Sequence, residues 1–314
     1  MFDTAIIGVG AAGYTAAIYT ARYQLSTLII GAEEGGMGQT AAEVGNWPGI
    51  IEIRGPDLME NFKKHATSFE QVKHMIGRVN EIQQIEGGFK LLLADGSFQE
   101  AKTVILATGS NKRHLGIKGE AEFSGKGVTY CATCDAFFYR NKTVAVIGGG
   151  DSAVEGAAIA AQVAKTVYLI HRRNSFRAEP YWVQKVKEKT NIVMVLENTI
   201  TEVLGEQKVT GVKLEKPFNG SDTLALDGVF IEVGSIPNVG LATKIGCKLD
   251  DKGFMQVDAA MRSTVKGILG AGDVTSGSNH FAQFTTAAGE GAIAANSVFN
   301  YLQAGDGGWL QGAC

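Results

Sequence analysis

Two glycine-rich turns, each entered from a short apolar run and leading into an alanine-rich stretch, constrain this chain more than anything else in it. The first run, Thr4-Ala5-Ile6-Ile7, passes into Gly8-Val9-Gly10-Ala11-Ala12-Gly13. The second, Thr143-Val144-Ala145-Val146-Ile147, passes into Gly148-Gly149-Gly150-Asp151-Ser152-Ala153. Glycine at the first position allows a tight turn, and glycine at the second lets the backbone approach a pyrophosphate. A small third residue lets the helix pack on its strand. The unpaired N–H groups and positive dipole end of that helix then favour phosphates. A single such turn is weak evidence, because ordinary strand-to-helix connections use the same residues. Two of them, each in strand–turn–helix context, predict an α/β chain with two dinucleotide sites.

Between the turns lies Cys131-Ala132-Thr133-Cys134, followed at once by Asp135. A two-residue spacer in a turn brings the two Cα atoms within bridging distance, so the pair can close a disulfide. A helix starting here would lower the pKa of the more N-terminal thiol and make it the better nucleophile. The other readings are half of a zinc site and an inert buried pair. Zinc takes four ligands, and Cys247 and Cys314 stand alone with no second Cys-x-x-Cys, so no metal is expected. Asp135 precedes the apolar run Ala136-Phe137-Phe138, whose burial would raise its pKa toward neutrality and suit it to protonate a departing thiolate. The alternative for Asp135 is a helix N-cap. Four cysteines, only two of them paired by spacing, speak for a reducing compartment, the cytoplasm, and against a secreted disulfide scaffold.

The 314 residues suffice for two domains with two buried cores. A net charge of −3 and the lack of any basic patch beyond one short cluster exclude nucleic acid as a partner. No apolar run reaches the ~18–20 residues of a membrane span. The apolar N-terminus, which lacks a basic leader and breaks at Gly8, reads as a first strand rather than a signal peptide. Ser26-Thr27-Leu28-Ile29-Ile30 reads as the second strand, and the long loop through Val44-Gly45-Asn46-Trp47-Pro48-Gly49 as a ligand-contacting segment. Short strands are expected over about 75–106, with Gly87-Gly88 and Asp95-Gly96 as hairpin signals. A second strand–helix unit starts at Thr143 and reaches the strand Thr166-Val167-Tyr168-Leu169-Ile170, followed by short strands to about Val233. The last segment carries Gly267-Ile268-Leu269, the turn Gly270-Ala271-Gly272-Asp273 and a helix from about Thr285 to Leu302. The same succession thus occurs twice. It predicts two Rossmann-like three-layer ββα nucleotide-binding domains, the second (residues 116–244) inserted in the first (1–115 and 245–314) and joined by strands crossing near 113–118 and 241–247.

Arg172, Arg173 and Arg177 follow the strand ending at Ile170, where the adenosine ribose of a dinucleotide at the second turn would lie. Planar, multiply donating groups suit a 2′-phosphate, so the cluster points to NADPH rather than NADH; a solvated basic helix start is the alternative. Glu33 or Glu34, just past Gly31, stands where many dinucleotide folds place an acid on the adenine ribose, though either also reads as a solvated loop residue. His114 and His280 flank the expected domain joints and read as structural or surface residues.

With both turns, the Cys-Ala-Thr-Cys-Asp motif and the closing Ala271-Gly272-Asp273, the chain resembles the low-molecular-weight thioredoxin reductases along essentially its whole length. Asn46-Trp47-Pro48-Gly49, Ala107-Thr108-Gly109, Gly148 through Ala153, and His171-Arg172-Arg173 with Arg177 match as well. The resemblance implies FAD in the interrupted domain, NADPH in the inserted one, thioredoxin or a similar small disulfide protein as partner, and a homodimer. It implies that Cys134 faces the flavin, that Cys131 attacks the partner disulfide, and that Asp135 is the acid. Around FAD it places Gly8, Gly10, Ala11, Ala12, Gly13, Glu33, Asn46, Ala107, Thr108, Gly109, Gly272, Asp273, Gln283 and Phe284. Asp273 would accept a ribityl hydroxyl, and the start of the last helix would approach the isoalloxazine, its dipole favouring negative charge there. Around NADPH it places Gly148, Gly150, Asp151, Ser152, Ala153, His171, Arg172, Arg173 and Arg177. A dithiol in the inserted domain cannot serve the flavin and an external protein at once, so a rotation of that domain between two states is expected.

Three features depart from the family pattern. A loop that usually reads Gly-Gly-Gln reads Gly35-Gly36-Met37, and the usual Arg-Gln pair before the last helix reads Ala282-Gln283. Beyond Leu302 the chain continues through a glycine-rich stretch to Trp309 and Cys314. Trp309 stacked on the flavin would shield the face that NADPH approaches, and ferredoxin or a second flavin would then be the donor. The other readings of this stretch are an electron relay through Cys314 and a tail without fixed structure. A non-catalytic flavin-binding redox sensor is the remaining alternative, and the intact dithiol motif stands against it.

Overall fold

Alternate residues of the central strands are buried on opposite faces. Ile6 points into one core while Ala5 and Ile7 point into another, and Val144 and Val146 alternate in the same way with Ala145 and Ile147. A strand with both faces covered belongs in the middle of a parallel sheet, which explains why these runs are apolar throughout rather than alternating with polar residues.

The computed structural model describes residues 1–41 and 43–304. Along the chain come β1 (Phe2–Ile7), α1 (Ala11–Arg22), β2 (Thr27–Gly31), α2 (Gly55–Thr67), β3 (Val72–Ile76), β4 (Val79–Ile85), β5 (Gly88–Leu93), β6 (Phe98–Leu106) and β7 (Ser110–Lys112). Next are β8 (Val128–Thr129), α3 (Ala132–Asp135), β9 (Thr143–Ile147), α4 (Asp151–Ala160), β10 (Thr166–His171), α5 (Pro180–Lys187) and β11 (Ile192–Leu196). Then follow β12 (Ile200–Gly205), β13 (Val209–Phe218), β14 (Ser221–Ala225), β15 (Gly228–Ile231) and β16 (Ser235–Pro237). The described chain closes with α6 (Gly240–Lys244), β17 (Ile268–Gly270) and α7 (Phe284–Ala304). No described helix is long and apolar enough to cross a membrane.

The chain divides into two units, Met1–Asn111 with the described residues from Pro237 on, and Lys112–Ile236. In the first, the sheet runs β3-β2-β1-β6-β5-β4, with β17 also paired to β6. Its β1, β2, β3, β6 and β17 are parallel, while β4, β5 and β6 form an antiparallel meander. Ile6, Ile29 and Ile105 pack on one face with Tyr14 and Ala17 of α1 and Ala294 and Val298 of α7. On the other face Ile7, Leu28 and Ile30 join Ile82, Phe89 and Leu91. Each such aliphatic side chain contributes about 1.5–3 kcal/mol on burial. The second unit repeats the plan with an all-parallel sheet, β11-β10-β9-β15-β8. Here Val144, Val146 and Leu169 pack on α4 and α5, and Ile147, Ile170 and Ile231 on the antiparallel layer β12-β13-β14. Each unit is thus a Rossmann-like three-layer ββα body, as expected.

The passages between the units lie earlier than the sequence suggests, at 111/112 and 236/237 rather than 115/116 and 244/245. Packing explains both shifts. Leu115 and Ile117 are already part of the core beneath β12–β14, whereas Val239, Leu241, Ala242 and Ile245 pack with Ile7 and Leu28 in the first unit. The connecting strands expected near 113–118 and 241–247 are instead β7 and β16, which pair as a two-stranded ribbon. Helix α2 lies in a stretch for which no element is expected above. Its signal is Pro56 near the start, with Leu58, Met59 and Ala66 buried.

Candidate active site

The two turns divide their glycines by task. Gly8 has φ +128°, and a side-chain carbon there would overlap the carbonyl oxygen of Ala107. A carbon on Gly13 would overlap the carbonyl oxygen of Gly8, so only glycine lets α1 lie this close to the turn. Gly10, the residue capping α1, is different: the nearest atom to a carbon built on it is the Gly35 oxygen at 4.0 Å. In the second turn Gly148 has φ +147° and packs on the carbonyl of Glu232, Gly149 lies against the His171 ring, and Gly150 meets nothing within 4 Å. Ala153 supplies the small, buried third residue. Each turn therefore has open space in front of a helix start whose backbone N–H groups lack a side-chain cap, and each fits a pyrophosphate.

Around the first turn, residues distant in sequence converge. Ala11 and Ala12 form the buried first turn of α1, and a carbon on Gly272 would come within 3.0 Å of Ala12 Cβ. The buried Glu290 of α7 accepts the Gly272 N–H at 2.8 Å and the Thr275 hydroxyl at 2.8 Å through the same oxygen. Asp273 beside it accepts the Ser110 hydroxyl at 3.4 Å. Burial pushes the Asp273 carboxyl above its usual range, opposed by Ser110 and reinforced by the charge of Glu290. Asn46 Nδ2 donates to Gln283 Oε1 at 3.0 Å, and the Gln283 N–H donates to Thr286 Oγ1 at 3.1 Å at the start of α7. Phe284 packs with Ala11, Val44, Leu58 and Met59. The Thr108 hydroxyl donates to the Asn238 carbonyl at 2.8 Å, and the Gly109 carbonyl accepts the Asn238 N–H at 2.8 Å. Of the two acids after Gly31, Glu34 is held by Lys63 at 2.8 Å, which leaves the exposed Glu33 as the available carboxylate. Met37 and Ala282 are both exposed.

At the second turn, Asp151 opens α4 and its Oδ1 accepts the Glu179 N–H at 2.7 Å, so this carboxylate braces the loop before α5. Ser152 beside it is exposed. The Arg177 N–H donates to the Gly149 carbonyl at 2.7 Å, which fixes the arginine-bearing loop against the turn. Arg172, Arg173 and Arg177 are all exposed, and none forms an ion pair among the described residues. His171 is buried, stacked on Phe176 at 5.6 Å. Burial lowers its pKa, a backbone hydrogen bond near Ser175 opposes this, and the three arginines lower it further.

Cys131 and Cys134 are joined as a disulfide, with Cα atoms 5.3 Å apart. Cys131 caps α3 in extended conformation and its Sγ accepts the Cys134 N–H at 3.2 Å, the helix-start geometry expected of the nucleophilic sulfur. Ala132 is fully buried against Gly156 of α4, the helix that opens from the second turn. Its N–H donates to Glu232 Oε1 at 3.1 Å. Asp135 accepts the hydroxyl of Thr129. It begins a 3-10 turn over Ala136–Tyr139, and its side chain makes no cap bond there, so the N-cap alternative does not describe it. The burial expected from Ala136-Phe137-Phe138 is only partial. The 3-10 turn tucks Ala136 in and turns Phe137 and Phe138 out, 66% and 79% exposed, leaving Asp135 half-buried. Arg140 lies over the Phe137 ring at 5.1 Å.

Elsewhere, His114 Nδ1 is 2.7 Å from the Tyr130 hydroxyl and His280 Nε2 is 2.7 Å from Asp250 Oδ2, both local structural bonds. Cys247 is a buried free thiol whose pKa burial raises. Trp309 and Cys314 lie outside the described residues. Glu290, Ser110, Glu232 and Lys112 are site neighbours that sequence reasoning did not single out.

Comparison with known proteins agrees with this geometry. The family model described as pyridine nucleotide-disulphide oxidoreductase matches residues 2–291. A thioredoxin reductase of Listeria innocua is 38% identical over 307 residues, covering 96% of this chain and 94% of that one. A Pseudomonas fluorescens protein named glucosaminate ammonia-lyase is 41% identical over 308 residues, covering 95% and 94%. The crystal structure of Lactococcus lactis thioredoxin reductase in its FR conformation superposes with a TM-score of 0.91 at 35% identity, covering 97% of this chain and 100% of that one. The chain belongs to the pyridine nucleotide-disulphide oxidoreductase family and, within it, to the low-molecular-weight thioredoxin reductases.

Proposed function

We propose that this protein is a thioredoxin-disulfide reductase, using FAD at the first turn and NADPH at the second to reduce Cys131–Cys134 and, through it, the disulfide of thioredoxin or a similar small protein. The observation that carries the reading is the disulfide itself, closed at the start of α3 on a buried alanine that packs on the helix of the second turn. FAD, when bound, supplies the two-electron link between the nicotinamide and the dithiol. The chain's residues do the rest. Gly10 and Gly150 leave room for pyrophosphates, Glu33 and Asp273 offer carboxylates to sugar and ribityl hydroxyls, and Asn46 and Gln283 orient each other at the start of α7. The exposed Arg172, Arg173 and Arg177 support recognition of a 2′-phosphate, and with it NADPH as donor.

In the reduced protein the Cys131 thiolate attacks the partner disulfide, forming a mixed disulfide and expelling one partner thiolate, to which Asp135 gives a proton. Cys134 then attacks Cys131 Sγ, restoring the intramolecular disulfide and releasing the second partner thiol. The exposed Phe137 and Phe138 offer the partner an apolar, aromatic surface beside the sulfurs. A partner potential of about −270 mV, that of thioredoxin, suits such a dithiol. The same reading makes the protein a cytoplasmic homodimer.

A second reading, with ferredoxin or another flavin in place of NADPH, draws on Met37 and Ala282, exposed where the family carries polar groups. A lyase reading leaves Cys131–Cys134 without a task. Anaerobic mixing of the FAD-loaded protein with NADPH, followed by addition of oxidised thioredoxin, separates the three. We expect rapid bleaching of flavin absorbance and then two thiols released per NADPH. Flavin that bleaches only with reduced ferredoxin would favour the second reading, and bleaching with no thiols released would sink the reductase.

A further inference from the structure

Glu232 is a buried carboxylate that none of the steps above uses. It follows β15 directly, and its side chain is 4% exposed. Oε1 accepts the N–H of Ala132, the residue joined to Cys131, at 3.1 Å, and Oε2 pairs with Lys112 Nζ at 2.8 Å. Its own N–H donates to the Ile147 carbonyl at 2.8 Å, so the backbone that carries it is fixed to the central strand. A buried N–H such as that of Ala132 needs an acceptor, and a neutral carbonyl would serve. Placing an ion pair there costs desolvation of both charges. Burial accordingly pushes the Glu232 carboxyl up, and Lys112 and the Ala132 N–H pull it back. This charge pair stands one peptide from the Cys131 sulfur, where charges are weakly screened by the interior.

We propose that Glu232, held by Lys112, is a positioning residue for the dithiol: it anchors the Cys131–Ala132 peptide and sets how readily Cys131 becomes a thiolate. The inference rests on reading Cys131–Cys134 as the working dithiol. A more stable thiolate stabilises the reduced form and moves the exchange of the protein disulfide with two glutathione molecules, giving dithiol and oxidised glutathione, toward the dithiol. Glu232→Gln keeps an acceptor for the Ala132 N–H and leaves the Lys112 cation unopposed. Lys112→Met leaves the carboxylate unopposed.

The test measures, in the FAD-loaded protein, the glutathione exchange constant and the pH dependence of Cys131 alkylation. Glu232→Gln is expected to raise the constant about tenfold, equivalent to about 30 mV, and to lower the thiol pKa. Lys112→Met is expected to shift both in the opposite direction, with Lys112→Gln taking its place should the methionine variant not fold. A purely structural role lowers melting temperature without separating the variants in opposite senses. Exchange in the wild type with coincident constants and pKa values in the variants overturns this inference alone. A wild-type disulfide that does not exchange overturns the reductase reading along with it.

Discussion

Asp273 lies under opposing influences: burial raises its carboxyl pKa, the Ser110 hydroxyl lowers it, and Glu290 raises it again. With a folded-state value above the unfolded ~3.9, the protonated form is the one the fold favours. That contribution is complete below the unfolded pKa and is lost as pH rises through the folded value, so at neutral pH the cofactor-free protein carries a destabilising charge. Asp273→Asn is therefore expected to raise the melting temperature of the cofactor-free protein at pH 7. The gain should vanish near pH 4 and be accompanied by weaker FAD retention. Equal melting at both pH values would show that the charge is not strained. At this scale the sequence is legible where chemistry is local. The dithiol is visible because its spacing is two residues, whereas Glu232 and Ala132 are 100 residues apart and Lys112 and Glu232 120 apart. A single acid after an apolar strand carries no local signal of a partner so distant.

Among elements, the two strand–turn–helix units separate packing from ligand space. Gly8→Ala or Gly13→Val would force overlap with a carbonyl oxygen and is expected to cost on the order of 3 kcal/mol, lowering the melting temperature of the cofactor-free protein by several degrees. Gly10→Ala meets no protein atom closer than 4.0 Å and should leave that temperature within about 1 °C. FAD binding, followed by fluorescence titration, is expected to weaken about tenfold or more. A Gly10→Ala protein that binds FAD normally would remove the turn from the cofactor site. These units were readable because the periodicity changes sharply at each glycine. The 3-10 turn after Asp135 was not, since the run Ala-Phe-Phe carries no sign of which side chain turns inward.

For the whole molecule, the duplication of a strand–turn–helix plan revealed two units, but their boundaries depend on which core claims Val239 through Ile245, a matter of packing that no local pattern announces. The dithiol belongs wholly to the second unit; on the function proposed above, in which it serves both a cofactor at the first turn and an outside protein, that unit is expected to reorient. A short covalent link between the units is expected to abolish repeated turnover with thioredoxin while FAD content stays unchanged; undiminished turnover would rule the motion out. The interrupted order of the first unit also sets the order in which its parts are synthesised. Residues 112–236 form one contiguous stretch, whereas β17 and α7, which pair with β6 and pack on α1, are translated after it. The sequence of the thiol-bearing unit is thus complete before the strand and helix that finish the core of the first unit have been made. Cys131 and Cys134 are therefore synthesised together with the whole of their own unit while the first unit still awaits β17 and α7.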